Sequence, residues 1–145
     1  MKIRSAKKND YEQLLNLLRQ LNPDDPEASF LERQAFDEIV DSKNLELIVA
    51  EDEGVLLSSC YLNVVPNITR GGRPYAIIEN VITDSNYRNR GLGERVIKMA
   101  LEKAWIANCY KVMLMSGRKD PAVHAFYQKC GFSADEKQAY VQRAL

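Results

Sequence analysis

The sequence predicts an α/β fold with a mixed, mostly antiparallel central sheet and helices on both faces. Three observations predict it. Two strand-like runs, Leu45–Glu51 and Val55–Val65, are joined by Asp52-Glu53-Gly54, a hairpin signal rather than a crossover. Two helical runs precede that hairpin in succession. The second half then alternates strand, helix, short apolar strand and helix, the pattern of parallel crossover units. This order excludes a doubly wound, all-parallel sheet.

Each element has a local cause. Lys2–Ala6 reads as a first strand. A first helix opens near Asn9-Asp10, where Asn9 and Glu12 have capping-box spacing. Leu14, Leu15, Leu17, Leu18 and Leu21 then fall at helical spacing, and Asn22-Pro23 stops the run. Asp25 as N-cap and Pro26 at the first helical position predict a second helix from there, with Phe30, Leu31, Ala35, Phe36 and Ile39 as its stripe. After the hairpin, Pro66–Pro74 turns the chain through Gly71-Gly72 into a strand over Tyr75–Thr83. A third helix follows Gly93, with Val96, Ile97, Ala100, Leu101 and Ala104 inward. Lys111–Met115 reads as a buried parallel strand. Asp120, Pro121 and Gly131 bound a fourth helix, and Ala139–Arg143 reads as a last strand.

The chain has 145 residues, the size of one domain spanning 1–145. Lys+Arg and Asp+Glu number 20 each, so a general nucleic-acid binder, with its basic excess, is not expected. Cys60, Cys109 and Cys130 are isolated from one another, an odd set that suits free thiols in a reducing compartment. No run is apolar enough to span a bilayer and no secretory leader is evident, so a cytoplasmic protein with no membrane partner is expected. No Cys/His cluster has metal-ligand spacing, and no metal is expected; the lone histidine, His124, reads as a rim residue.

The richest stretch is Arg88-Asn89-Arg90-Gly91-Leu92-Gly93, between a strand and an amphipathic helix. A glycine-containing turn there presents main-chain N–H groups to an anion, and the helix dipole adds about half a positive charge. A Walker A loop needs a Lys-Ser or Lys-Thr after its glycines, which is missing. The dinucleotide fingerprint needs a third small residue, but from Gly91 the sequence reads Gly-Leu-Gly-Glu-Arg-Val.

The remaining pattern, R-x-x-G-x-G on a strand–turn–helix, resembles the coenzyme A signature of the GNAT N-acetyltransferase superfamily. A second block, Ala125-Phe126-Tyr127-Gln128-Lys129-Cys130-Gly131-Phe132, is similar to that family's [LF]-Y-x-K-x-G-F block and lies in the expected order. Ile78-Glu79-Asn80 with Phe126–Phe132 most resembles glucosamine-6-phosphate N-acetyltransferases and related bacterial small-amine enzymes. The family often has Asn where this chain has Asp120, which is read here as a helix cap.

The resemblance implies acetyl transfer from acetyl-CoA to a primary amine of a small molecule by direct attack, with no metal. It implies that main-chain groups of Arg88, Asn89, Arg90, Gly91, Leu92 and Gly93 hold the diphosphate. Val81, Ile82 and Thr83 would pair with the pantetheine arm where the sheet splays between the Tyr75–Thr83 and Lys111–Met115 strands. An alkyl amine with pKa of about 10.4 is ammonium at neutral pH and must lose a proton before it attacks. The resemblance puts Glu79 forward as base, with partial burial to strengthen it; pairing with Arg73 is the alternative. It implies Tyr127 as the acid that protonates the departing thiolate, against an ordinary half-buried aromatic. Cys130 lacks an adjacent activating base and reads as core. Arg70 and Arg73 flank Gly71-Gly72 and are candidates for an acceptor's phosphate or carboxylate. A non-catalytic acyl-CoA-binding regulatory module and a protein N-terminal or lysine acetyltransferase are the alternatives. Family members often form dimers, so a homodimer is one expectation.

Overall fold

A computed structural model describes all 145 residues, which divide into two compact units, Met1–Leu114 and Met115–Leu145. The first holds the sheet. Its strands are β1 (Lys2–Ser5), β2 (Leu45–Asp52), β3 (Val55–Val65), β4 (Tyr75–Thr83) and β5 (Val112–Leu114), in that spatial order. Neighbours are antiparallel except β4 and β5, which run parallel. The helices of this unit are α1 (Tyr11–Arg19), α2 (Phe30–Asp41) and α3 (Leu92–Ile106).

Alternation along the strands builds two cores. On one face Leu14, Leu17 and Phe36 of α1 and α2 pack with Leu47, Val49, Leu56 and Ile82. On the other, Val96, Ile97, Ala100 and Ala104 of α3 are fully buried, and the Cys60 thiol donates to the Val96 carbonyl at 3.5 Å. The β2–β3 hairpin closes through Glu53 and Gly54, both at positive φ, the two-residue turn whose twist matches the strands.

Several sequence expectations are corrected. The first helix is anchored by Asp10, not Asn9. Its carboxylate accepts the Lys7 N–H at 2.7 Å and a bidentate pair from Arg4 at 2.7 and 2.9 Å, with Arg4 also bonded to Glu51. Helix α2 starts at Phe30 rather than near Pro26. Ser29 caps it, and Glu32 reaches back to the Ser29 N–H at 2.7 Å, a reciprocal pair of bonds that outweighs the single signal at Asp25. Phe30 and Leu31 are consequently exposed instead of lining its stripe.

The second unit contains α4 (Pro121–Lys129). Asp120 caps it through the Ala122 N–H at 2.9 Å, as expected. It ends in a Schellman motif: the Phe132 N–H bonds the Tyr127 carbonyl, and the Gly131 N–H bonds that of Gln128. Residues 139–143 form no strand, so that expectation fails; Tyr140 and Val141 are exposed.

Candidate active site

Strand β4 shapes the site by breaking its own regularity. Glu79 pairs with Tyr61 and Ile82 with Ser59, so Asn80 and Val81 together oppose the single residue Cys60. Asn80 takes φ of 52°, a left-handed conformation that asparagine tolerates better than most residues. The extra residue reverses the alternation. Before it, Ala76 and Ile78 are buried on the α3 side; after it, Ile82 joins the α1/α2 core.

The same stretch of β4 loses its neighbour. Pairing with β5 covers only Ala76, Ile77 and Ile78, opposite Val112, Met113 and Leu114. Asp84 donates to the Leu57 carbonyl at 2.8 Å, so alternation turns the main-chain groups of Ile82 toward β3 and those of Val81 and Thr83 toward the open side. The Ile82 carbonyl also accepts the Ser58 hydroxyl at 2.8 Å.

The Arg88–Gly93 turn continues directly from this edge. Asp84 caps a short 3-10 turn over Ser85–Tyr87 by accepting the Asn86 N–H at 2.9 Å. Gln20 at the end of α1 clamps it from outside, donating to the Asp84 carboxylate at 2.9 Å and accepting the Ser85 N–H at 3.0 Å. Hydrogen bonds to Gln20 and Asn86 hold the Asp84 carboxyl below its ordinary pKa. Asn89 and Gly91 both take positive φ, 61° and 76°. The first main-chain bond of α3 runs from Arg95 N–H to the Gly91 carbonyl, and Gly91 offers no side-chain cap. The N–H groups of Leu92 and Gly93 therefore lie in the unsatisfied first turn of a 15-residue helix. Arg88 and Arg90 are exposed; Arg88 reaches the Thr83 carbonyl at 3.5 Å and Arg90 lies 4.9 Å over the Tyr87 ring. Neither forms an ion pair with a carboxylate.

Glu79 is exposed, so the partial burial expected of it is absent. Its alternative partner is also occupied elsewhere: Arg73 donates to the carbonyls of Asn108 and Cys109, both at 3.2 Å, and so caps the segment after α3. Beside Glu79 across the sheet stands Tyr61, which sequence reasoning missed. Burial, with a smaller effect from the Glu38 carboxylate, raises the Tyr61 phenol above its ordinary pKa. Its signal was available in the strand register, which sequence alone does not fix.

In the second unit the Tyr127 ring lies 5.1 Å from Phe126 and 6.4 Å, edge-on, from Phe132. His124 is exposed and Cys130 half-buried. Burial pushes the Cys60 thiol up to about 12, which removes it as a nucleophile. No group of three or more His, Cys, Asp or Glu side chains is placed to hold a metal ion, and no helix is long and apolar enough to cross a membrane.

A mixed five-stranded sheet whose β4 edge opens onto a helix N-terminus defines a scaffold suited to an extended ligand that ends in an anion. The model of the Acetyltransferase (GNAT) family matches residues 11–132, and the chain belongs to that family. It is 43% identical to a putative acetyltransferase from Agrobacterium tumefaciens, whose structure superposes with a TM-score of 0.91 over 99% of this chain and 100% of that one. A glucosamine 6-phosphate N-acetyltransferase 1 from Oryza sativa is 36% identical over 121 residues, 81% of this chain and 72% of that protein. The enzyme of that name from Trypanosoma brucei brucei is 41% identical over 85 residues, 59% of this chain. The match spans only 56% of the trypanosomal protein's length. Both the family and the fold expected from the sequence are thus borne out.

Proposed function

We propose that residues 1–145 form an acetyl-CoA-dependent N-acetyltransferase domain that acts on the primary amine of a small molecule, with glucosamine 6-phosphate the first candidate. The observation that carries this reading is the continuity of the open β4 edge with the uncapped start of α3. An extended amide-bearing chain fits the one, and a diphosphate fits the other. The donor set suits the group: two open N–H groups, two exposed arginines, and left-handed residues that aim the turn. The names of the Oryza and Trypanosoma relatives supply the candidate acceptor.

Acetyl-CoA, when bound, supplies an activated acyl group. The chain's own residues then have three tasks. Arg88, Asn89, Arg90, Gly91, Leu92 and Gly93 hold the diphosphate, and Val81 and Thr83 align the arm through their main-chain groups. Glu79 takes the proton from the acceptor's ammonium, directly or through water, a role its exposure on β4 allows. Tyr127 delivers a proton to the departing sulfur; a phenol with pKa of about 10 is protonated at neutral pH and matches an alkyl thiol. Sequence motif rather than geometry supports this last assignment.

A thiol-release assay with acetyl-CoA across amines, including glucosamine 6-phosphate, tests the reading. Replacing Tyr127 with Phe should lower kcat by about 100-fold or more while CoA affinity holds. Turnover unchanged by Tyr127→Phe removes the tyrosine from the mechanism, and no thiol release with any amine refutes the enzyme.

A further inference from the structure

Two glutamines fasten α1 to the sheet. Gln13 stands in the helix and Gln20 at its C-cap, about two turns further on. Each uses its side-chain amide as a strand uses a peptide group, donating once and accepting once. The Gln13 amide donates to the Gly54 carbonyl at 2.9 Å and accepts the Leu56 N–H at 3.0 Å, which holds the β2–β3 hairpin. The Gln20 amide donates to the Asp84 carboxylate at 2.9 Å and accepts the Ser85 N–H at 3.0 Å, which holds the exit of β4. Between them Leu14 and Leu17 seat the helix in the core.

The two anchored segments differ in what they adjoin. The hairpin tip leads only from β2 to β3. Asp84 follows Thr83, the last residue of the open β4 edge, and its turn runs on to Arg88–Gly93 and the start of α3. That turn is bonded to itself: the Tyr87 N–H to the Asp84 carbonyl at 2.9 Å, the Asn86 N–H to the Asp84 carboxylate at 2.9 Å, and Arg88 to the Thr83 carbonyl at 3.5 Å. Outward, the Asp84 N–H reaches the Leu57 carbonyl at 2.8 Å, and Gln20 takes the next N–H, that of Ser85. Gln20 is itself held, because its own N–H closes the end of α1 on the Leu17 carbonyl at 3.1 Å.

We infer that Gln20 is a positioning residue of the coenzyme site: its amide fixes the Asp84–Ser85 corner to α1, and so sets where the Arg88–Gly93 turn meets an anion. The inference rests on the acetyltransferase reading and adds to its site a residue 64 positions from Asp84 in sequence. Gln20 touches no reacting atom and acts through the turn. With the corner fixed in the free protein, the open Leu92 and Gly93 N–H groups are aimed before the anion arrives. Once released, the corner must be ordered by binding itself, which weakens affinity and leaves the chemical step alone. The expected signature is a raised KM for acetyl-CoA at constant kcat.

The test compares the wild type, Gln20→Ala, Gln20→Glu, Gln13→Ala and the double variant Gln20→Glu with Asp84→Asn. Calorimetric titration with CoA, acetyl-CoA kinetics with an amine found by thiol release, and thermal melting are measured on each. Gln13→Ala removes the same kinds of bond from the same helix, so it controls for a merely structural role. Gln20→Ala should weaken CoA about tenfold and raise the KM for acetyl-CoA in parallel, with kcat within about twofold. Gln13→Ala should lower Tm but keep CoA affinity within about twofold. Gln20→Glu sets two carboxylates together and should bind CoA no better than Gln20→Ala. The double variant exchanges donor and acceptor across the same 2.9 Å contact and keeps the oxygen that accepts the Asn86 N–H. Its CoA affinity should return to within about threefold of the wild type. CoA affinity that Gln20→Ala leaves alone, that Gln13→Ala lowers as far, or that the double variant does not restore overturns the inference and leaves the enzyme standing. Affinity that Gln20→Ala lowers and the double variant restores, in a protein that turns over no amine, upholds the inference and refutes the enzyme. A wild type that does not bind CoA refutes both.

Discussion

Replacing Gly91 with Ala probes the turn that the whole site depends on. Gly91 has φ of 76° and ψ of 10°, and a Cβ built there meets nothing within 4 Å. Steric clash is therefore excluded, and only backbone strain remains. An L-residue in the left-handed region costs about 1–2 kcal/mol. That strain has two ways to appear. If the turn keeps its shape, folding bears all of it, and Tm falls by about 3–8 °C for a chain of this size. If the turn relaxes, stability is spared, but the Leu92 and Gly93 N–H groups lose their aim. Binding must then restore them, weakening CoA by about 5–30-fold. The two losses should sum to the same 1–2 kcal/mol. Thermal melting and calorimetric titration with CoA on one protein preparation measure both. Gly91→Asn should lose less than Gly91→Ala, because asparagine tolerates this conformation. An alanine variant that loses neither stability nor affinity, or an asparagine variant that fares worse, would refute the reasoning.

Other expectations follow from the same structure. Asp10 is only 5% exposed and holds Arg4 in a bidentate pair, so Asp10→Asn should destabilise by about 3–5 kcal/mol, read by urea denaturation. The Arg4 guanidinium holds the Asp10 carboxyl below its ordinary pKa, so its contribution is complete above the unfolded value of about 3.9. It is lost as pH falls from there through the lower folded value; the wild type should lose more stability on acidification than Asp10→Asn does. Glu79→Gln should lower kcat by about 100-fold at neutral pH, with partial recovery at high pH where the amine is already neutral; an unaltered pH profile would make Glu79 a positioning residue. Gln20→Ala should release the Asp84 turn and speed amide exchange at Ser85 while α2 is unaffected.

The parts of this molecule legible in the sequence are those fixed by neighbours along the chain. Val55–Val65 and Tyr75–Thr83 occupy the expected spans because turn residues bound each apolar run. Asp120-Pro121 starts α4 as expected, since an N-cap and a first-turn proline act within three residues. What escaped depends on distance or on register. The Asn80 bulge left no mark on the pattern, because Ala76, Ile78 and Ile82 keep even spacing although Ile82 faces the opposite core. The Arg4–Asp10–Glu51 network joins three separate segments. Tyr61 came beside Glu79 only once strand pairing set the two across from each other. Arg73 failed as a ligand candidate because its partners are carbonyls 35 and 36 residues away.

The central claim is that the edge of β4 and the start of α3 together form the coenzyme site. Titrating the 15N-labelled protein with CoA and following each backbone amide tests it most directly. The account predicts the largest shifts at Val81 and Thr83 and at Arg88 through Gly93, with β1 and the middle of α2 unmoved. Saturation by CoA that leaves those amides in place and shifts others would contradict it.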